Sequence, residues 1–149
     1  MIRTPRVLYS SLIAVALLLP SAAHAQRQAI VPQGQAASAT LTPGIKHGDA
    51  IYASGQLGTA RNDPDTTIQA QTRRSLEKIK AVMEAGGGNM ANVLKCTVFL
   101  VDLKDFAGMN TAYSEAFPKE PPARSTVVVA ALVSPGAKVE IECIGAVAK

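Results

Sequence analysis

The amino-acid sequence predicts an α+β domain: a β-sheet with two helices packed on one face, its second face left for water or another subunit. The order of elements points there, because strand, long helix, strand, helix and two further strands is an order that gathers the helices on one side of a sheet. In the last extended run Glu140 and Glu142 share one face while Val139, Ile141 and Cys143 share the other, as in a strand with one covered and one open side. The run Val127-Val128-Val129-Ala130-Ala131 lacks that alternation and is apolar on both faces. A monomer would expose one of them, so the chain is expected to assemble with copies of itself.

The chain opens with Arg3 and Arg6 and no acid, then an apolar run from Val7 to Leu19, then Pro20 and Ala23-His24-Ala25. This is the layout of a cleaved secretory signal over residues 1–25, and the apolar run is too short to span a bilayer comfortably. Cleavage after Ala25 would leave a periplasmic or secreted protein with no membrane attachment. Residues 26–39 are mostly Gln, Ala and Ser without a sustained period and read as a flexible leader, which puts the folded domain at 40–149. Ala50 to Ser54 is a short extended run, and Gly55 after it marks a bulge or a close backbone approach.

Arg61 to Asp65 reads as a turn in which Asp63 or Asp65 can cap the helix after it. From Thr66 to Ala85 the apolar positions Ile68, Leu76, Ile79, Val82 and Met83 recur at helical spacing, and Gly86-Gly87-Gly88 ends the helix. That triplet follows a helix instead of opening one, so it is a stop and not a phosphate cradle. Val93 to Val101 is β-branched and aliphatic, a buried strand. A second helix follows Asp105, with Phe106, Met109, Tyr113 and Phe117 as its core stripe, and Pro118, Pro121 and Pro122 forbid its continuation. Strands are expected over 125–133 and 138–147, joined by Ser134-Pro135-Gly136-Ala137, a turn of hairpin length.

Composition narrows the function. The first 25 residues hold two of the 15 basic residues and none of the 11 acidic ones, so the processed chain carries +2 where the whole carries +4. So small a charge, with no basic stripe interleaved with aromatics, does not suit a nucleic-acid partner or a ribonuclease. With three Phe, three Tyr and no Trp the core must be mostly aliphatic. Cys96 and Cys143 each lie in an apolar, strand-like run, the setting of a buried thiol acting as a small hydrophobe, and spacing alone does not say whether they pair. His47 is the one histidine after residue 25 and there is no CxxC, so neither a metal site nor a histidine-based triad is expected.

Three polar features lie at strand ends: Ser54-Gly55, Arg124, and the pair Glu140 and Glu142. Arg124 follows Pro121-Pro122 with no acid beside it in sequence, and its guanidinium offers a rigid fork for a carboxylate. Glu140 or Glu142 can act as a general base toward water, or can pair with Arg124. On these features alone the ion pair takes precedence, because ion pairs are commoner than catalytic acids.

The segment Pro122-Ala123-Arg124-Ser125-Thr126-Val127, followed by Val139-Glu140-Ile141-Glu142, resembles the signature of the RidA (YjgF/UK114) family. Ala53-Ser54-Gly55-Gln56, the helix around Ser75-Leu76-Glu77-Lys78, the strand Lys95 to Leu100, and Asp105-Phe106-Ala107 with Asn110 and Tyr113 fall in the family's order over roughly residues 40 to 147. The resemblance implies a chorismate-mutase-like sandwich with a mixed sheet, assembled as a homotrimer with clefts between subunits. It further implies that Arg124 grips the carboxylate of a 2-imino or enamine acid, that Glu140 positions the attacking water, and that Ser54, Asn110 and Thr126 line the cleft. Hydrolysis of a protonated C=N bond needs no cofactor. Two positions depart from the family pattern: Leu41 stands where a cleft tyrosine is usual, and Thr126 where a cysteine is often found. The lost tyrosine hydroxyl opens a second reading, a carboxylate-binding protein without turnover on the same scaffold.

Overall fold

The computed structural model describes residues 26–35, 38–60 and 64–149; the expected signal segment and Asp63 lie outside them. The elements are β1 (Arg27–Ile30), β2 (Gly44–His47), β3 (Ala50–Leu57), α1 (Ile68–Ala85), β4 (Val93–Leu100), α2 (Phe106–Ala116), β5 (Ala123–Val128) and β6 (Val139–Ala146). The strands form one mixed sheet in the order β1-β2-β3-β6-β4-β5, with both helices on one face as expected. Among the described residues only β4 and β5 run parallel, and α2 is the crossover that such a pairing requires.

The helix α1 starts at Thr67, whose hydroxyl accepts from the Ala70 amide, while Asp65 accepts from Thr67 one step upstream. It ends at Gly86, and Gly87, at φ 89°, takes the left-handed turn that lets the chain leave. Between helices and sheet Ile51, Ile79, Val82, Met83, Leu100, Met109, Val139 and Ile141 lose all contact with solvent. Each such side chain stabilises the fold by about 1.5–3 kcal/mol, so an aliphatic core suffices without Trp. Gln71, also buried, donates to the Gly136 carbonyl and accepts from the Lys138 amide, both at 2.9 Å, which ties the loop before β6 to α1.

Four expectations need correction. Residues 27–30 are not a flexible leader: they pair antiparallel with β2 and bury Ile30, so the ordered domain begins before residue 40. The strands β5 and β6 do not form a hairpin. Strand β6, with Val139, Ile141, Cys143 and Gly145 buried on one side, belongs at the centre of the sheet between β3 and β4, whereas β5 ends at Val128 on the edge. The cysteines are buried but are not free thiols: Cys96 and Cys143 face each other across the β4–β6 ladder and form a disulfide. Phe106, the first member of the α2 stripe, is 38% exposed and so lies outside the core. The face away from the helices carries Tyr52, Val127 and Ile144 at 46%, 43% and 40% exposure, the apolar open surface that the sequence predicts.

Candidate functional site

The strand register decides where each candidate side chain goes. Arg124 stands opposite Cys96 in the parallel β4–β5 ladder, and Cys96 faces the helices, so Arg124 rises on the helix side at the sheet edge. There it meets α2, with Nη1 3.9 Å from the Met109 sulfur and the guanidinium over the Tyr113 ring. Asn110 and Arg124 line one cavity of about 450 Å³, bounded by Tyr113, Phe117 and the prolines Pro121 and Pro122. Thr126 follows two residues along the same side of β5, and its hydroxyl is buried without a hydrogen-bond partner among the described residues.

Glu140 and Ser54 lie on the other face. Glu140 alternates with the buried Val139 and Ile141, and pairs in register with Leu57 on β3 and Phe99 on β4. The β3–β6 ladder shifts register between Ala53 and Gln56, which is the bulge that Gly55 announces. The bulge brings the Gly55 backbone so close to Glu140 that a Cβ at 55 would collide with the carboxylate. Burial, and then the charge of Glu142, hold the Glu140 carboxyl above the usual glutamate range. Ser54 donates to the Thr42 carbonyl at 2.7 Å and lines a hollow of about 260 Å³ with Tyr52, Lys95, Thr97 and Glu142. Leu41, beside Thr42, is 53% exposed.

The structure thus joins Arg124 and Asn110 in one cavity, with Thr126 on the same side of β5 but outside its lining, and sets Glu140, against Gly55, on the other face with Ser54. It does not join the groups: among the described residues no ion pair links Arg124 to Glu140 or Glu142, because the sheet stands between them. The ion-pair reading therefore falls within one subunit. A larger hollow of about 480 Å³ lies between α1 and α2, floored by Leu76, Met90, Ala112 and Ala116, but its rim charges Arg73 and Glu115 already pair with each other at 2.7 Å. Among the described residues no group of three or more His, Cys, Asp or Glu side chains is placed to hold a metal ion. The sequence hid the aromatic bed under Arg124. Its signal was the stripe Phe106, Met109 and Tyr113, whose outer end continues past the core to the sheet edge.

Comparison with known proteins agrees with this architecture. The sequence profile of the family described as Endoribonuclease L-PSP matches residues 32–147. The mitochondrial protein mmf2 of Schizosaccharomyces pombe is 41% identical over 105 residues, covering 68% of this chain and 83% of that one. Protein DfrA of Myxococcus xanthus is 40% identical over 123 residues, covering 78% and 86%. Among solved structures, the YjgF gene product of E. coli superposes with a TM-score of 0.71 at 35% identity, over 80% of this chain and 98% of that one. E. coli TdcF with bound serine superposes at 0.67 and 35% identity, over 75% and 91%.

Proposed function

This chain belongs to the Endoribonuclease L-PSP family, the RidA or YjgF/UK114 family, and from that premise we propose an exported homotrimer that hydrolyses 2-imino and enamine acids to 2-keto acids and ammonia. Membership supports a deaminase or small-molecule-binding role in general. The observation that carries the finer reading is Arg124: a guanidinium at the sheet edge, in a cavity, with no carboxylate partner among the described residues.

Homotrimers are typical of the family. In such an assembly the Arg124 edge of one subunit meets the open face of the next, so that Arg124 and Asn110 look across a cleft at Ser54 and Glu140 of the partner subunit. Arg124 grips the substrate carboxylate with two parallel N–H bonds. Water attacks the protonated C=N carbon while Glu140 takes its proton, a task for which a carboxyl held above the usual range is the better base. The proton passes to nitrogen, Glu140 takes the carbinol O–H proton as the C=O bond forms and the C–N bond breaks, and the keto acid leaves with ammonia, which carries that proton off as ammonium. Ser54, whose hydroxyl proton is engaged by the Thr42 carbonyl, has lone pairs left for the iminium N–H. Export rests on the pattern of residues 1–25 and gains support from the Cys96–Cys143 disulfide, since disulfides persist in oxidising compartments.

The rival reading is a binder of small carboxylates, and Leu41 favours it by removing a hydroxyl from the cleft. Binding of such a molecule has precedent in the serine held by TdcF. One assay separates the two. An amino-acid oxidase generates short-lived imino acids, semicarbazide traps them, and the purified processed protein is added. A deaminase lowers the trapped yield in proportion to enzyme; a binder leaves it unchanged.

A further inference from the structure

A guanidinium on a long, flexible stem must be held flat before it can grip a planar carboxylate with both N–H bonds, or the ordering counts against binding. Among the described residues no acid fixes Arg124. What holds it is the face of α2: Nη1 lies 3.9 Å from the Met109 sulfur, and Cζ lies 4.6 Å from the Tyr113 ring centroid and 5.9 Å from that of Phe106. The Tyr113 ring is itself immobilised, being 4% exposed and packed on Phe117 with centroids 4.8 Å apart.

We propose that Tyr113 is a positioning residue for Arg124, its ring face holding the guanidinium flat so that the N–H edge meets the carboxylate of a 2-imino or 2-keto acid in the Asn110–Pro122 cavity. This rests on the reading of Arg124 as the carboxylate anchor. The ring is the working part and the hydroxyl is not. The Tyr113 oxygen is buried without a hydrogen-bond partner among the described residues, so it does not orient Arg124. Burial pushes the phenol up to about 12, so it stays neutral and supplies no counter-charge. A cation on an aromatic face is attracted without being neutralised, which leaves its full charge for the ligand; a carboxylate in the same place would compete with it.

The test is titration calorimetry of 2-oxobutanoate, a keto-acid product of the proposed reaction, into the assembled protein, with KM and kcat measured on the same variants. Arg124→Ala should abolish measurable binding. Tyr113→Phe keeps the ring and should bind within about twofold of the parent, whereas Tyr113→Leu should bind about fivefold more weakly, the scale of a partly buried cation–π contact. Its KM should rise by a similar factor with kcat nearly kept, a split that a general loss of packing does not produce. Phe106→Leu, at an exposed and more distant ring, should weaken binding by about twofold without touching the core. A folded Tyr113→Leu protein that binds like the parent, while Arg124→Ala does not bind, overturns the role of Tyr113 and leaves Arg124 as the anchor. Undiminished binding by Arg124→Ala, or none by the parent, overturns both. Should Tyr113→Leu fail to assemble, Tyr113→Met, which keeps an apolar side chain of useful size without a ring, decides: binding like the parent contradicts the proposal, as does loss of binding in Tyr113→Phe.

Discussion

The two halves of the candidate site are built by opposite means. Arg124 sits on an edge strand and is held from one side by the side chains of α2. Glu140 sits on β6, paired on both flanks by β3 and β4, and its carboxylate rests against backbone that Gly55 leaves bare. A cation at an edge can keep one side toward water while its guanidinium lies on aromatic faces. A carboxylate set into the middle of a sheet is partly desolvated, and the raised Glu140 pKa records that cost. One half is thus a guanidinium laid on side chains at an edge and the other a carboxyl held above its usual range by burial; in the proposed reaction the first would grip the substrate and the second would act as the base. A single subunit presents them on opposite faces, which is why the proposed reaction requires a neighbour.

The sharpest break in this comparison is at Arg124. Arg124→Ala should reduce turnover by more than tenfold, since breaking a charge-assisted contact to a ligand costs about 2–5 kcal/mol, and should lower the melting temperature only slightly, because among the described residues it removes contacts to α2 but no ion pair. Arg124→Lys should recover little, because an ammonium keeps the charge without the fork. A destabilised but fully active Arg124→Ala protein would return Arg124 to a structural role.

Gly55→Ala attacks the other half through its support. The new Cβ must displace the Glu140 carboxylate, so turnover should fall by about tenfold while 2-keto-acid binding at Arg124 is kept. Equal losses in both measurements would mean that the two halves are not separable in this way.

The smallest effect is thermodynamic and has the opposite sign. With its folded-state pKa raised, Glu140 contributes stability that is present while it is protonated at low pH and is lost as pH rises through that pKa. Glu140→Gln should therefore remove activity yet raise the melting temperature at pH 7 by about 1–3 °C, allowing for solvent screening. The difference should vanish below the usual carboxylate range. In the parent protein, the proposed deaminase activity should fall with acid at a pH above that range. A Glu140→Gln protein that melts lower at pH 7 would show the glutamate to be paired and stabilising instead.

Much of the scaffold was legible because its signals are local. The 3.6-residue period from Ile68 to Met83, the Gly86 stop, the alternation through Glu140 and Glu142 and the bulge at Gly55 can each be read from a few neighbouring residues. What escaped depends on distant pairings. Ser134 to Ala137 looks locally like a hairpin turn, yet β6 inserts between β3 and β4, and no short window contains that choice. β1 offers only Arg-Gln-Ala-Ile, with Ile30 its single buried side chain, so its order comes from β2 and not from its own composition. The Cys96–Cys143 bridge spans 47 residues and exists because the two positions face each other in the β4–β6 register. The site residues were named by resemblance to a family. Their division between two faces appeared only once Arg124 was seen to pair with Cys96, and Glu140 with Phe99.

That division is tested most directly by mixing two inactive proteins. Arg124→Ala and Glu140→Gln subunits, co-expressed or dissociated and reassembled in equal amounts, form trimers in which a cleft takes its arginine from one chain and its glutamate from the next. Random assembly leaves both native residues in about a quarter of the clefts, so the mixture should regain about a quarter of the parent activity in the semicarbazide assay. A mixture that stays as inactive as its two components, although mass analysis shows mixed trimers, would place both residues of each working site in one subunit and contradict the account.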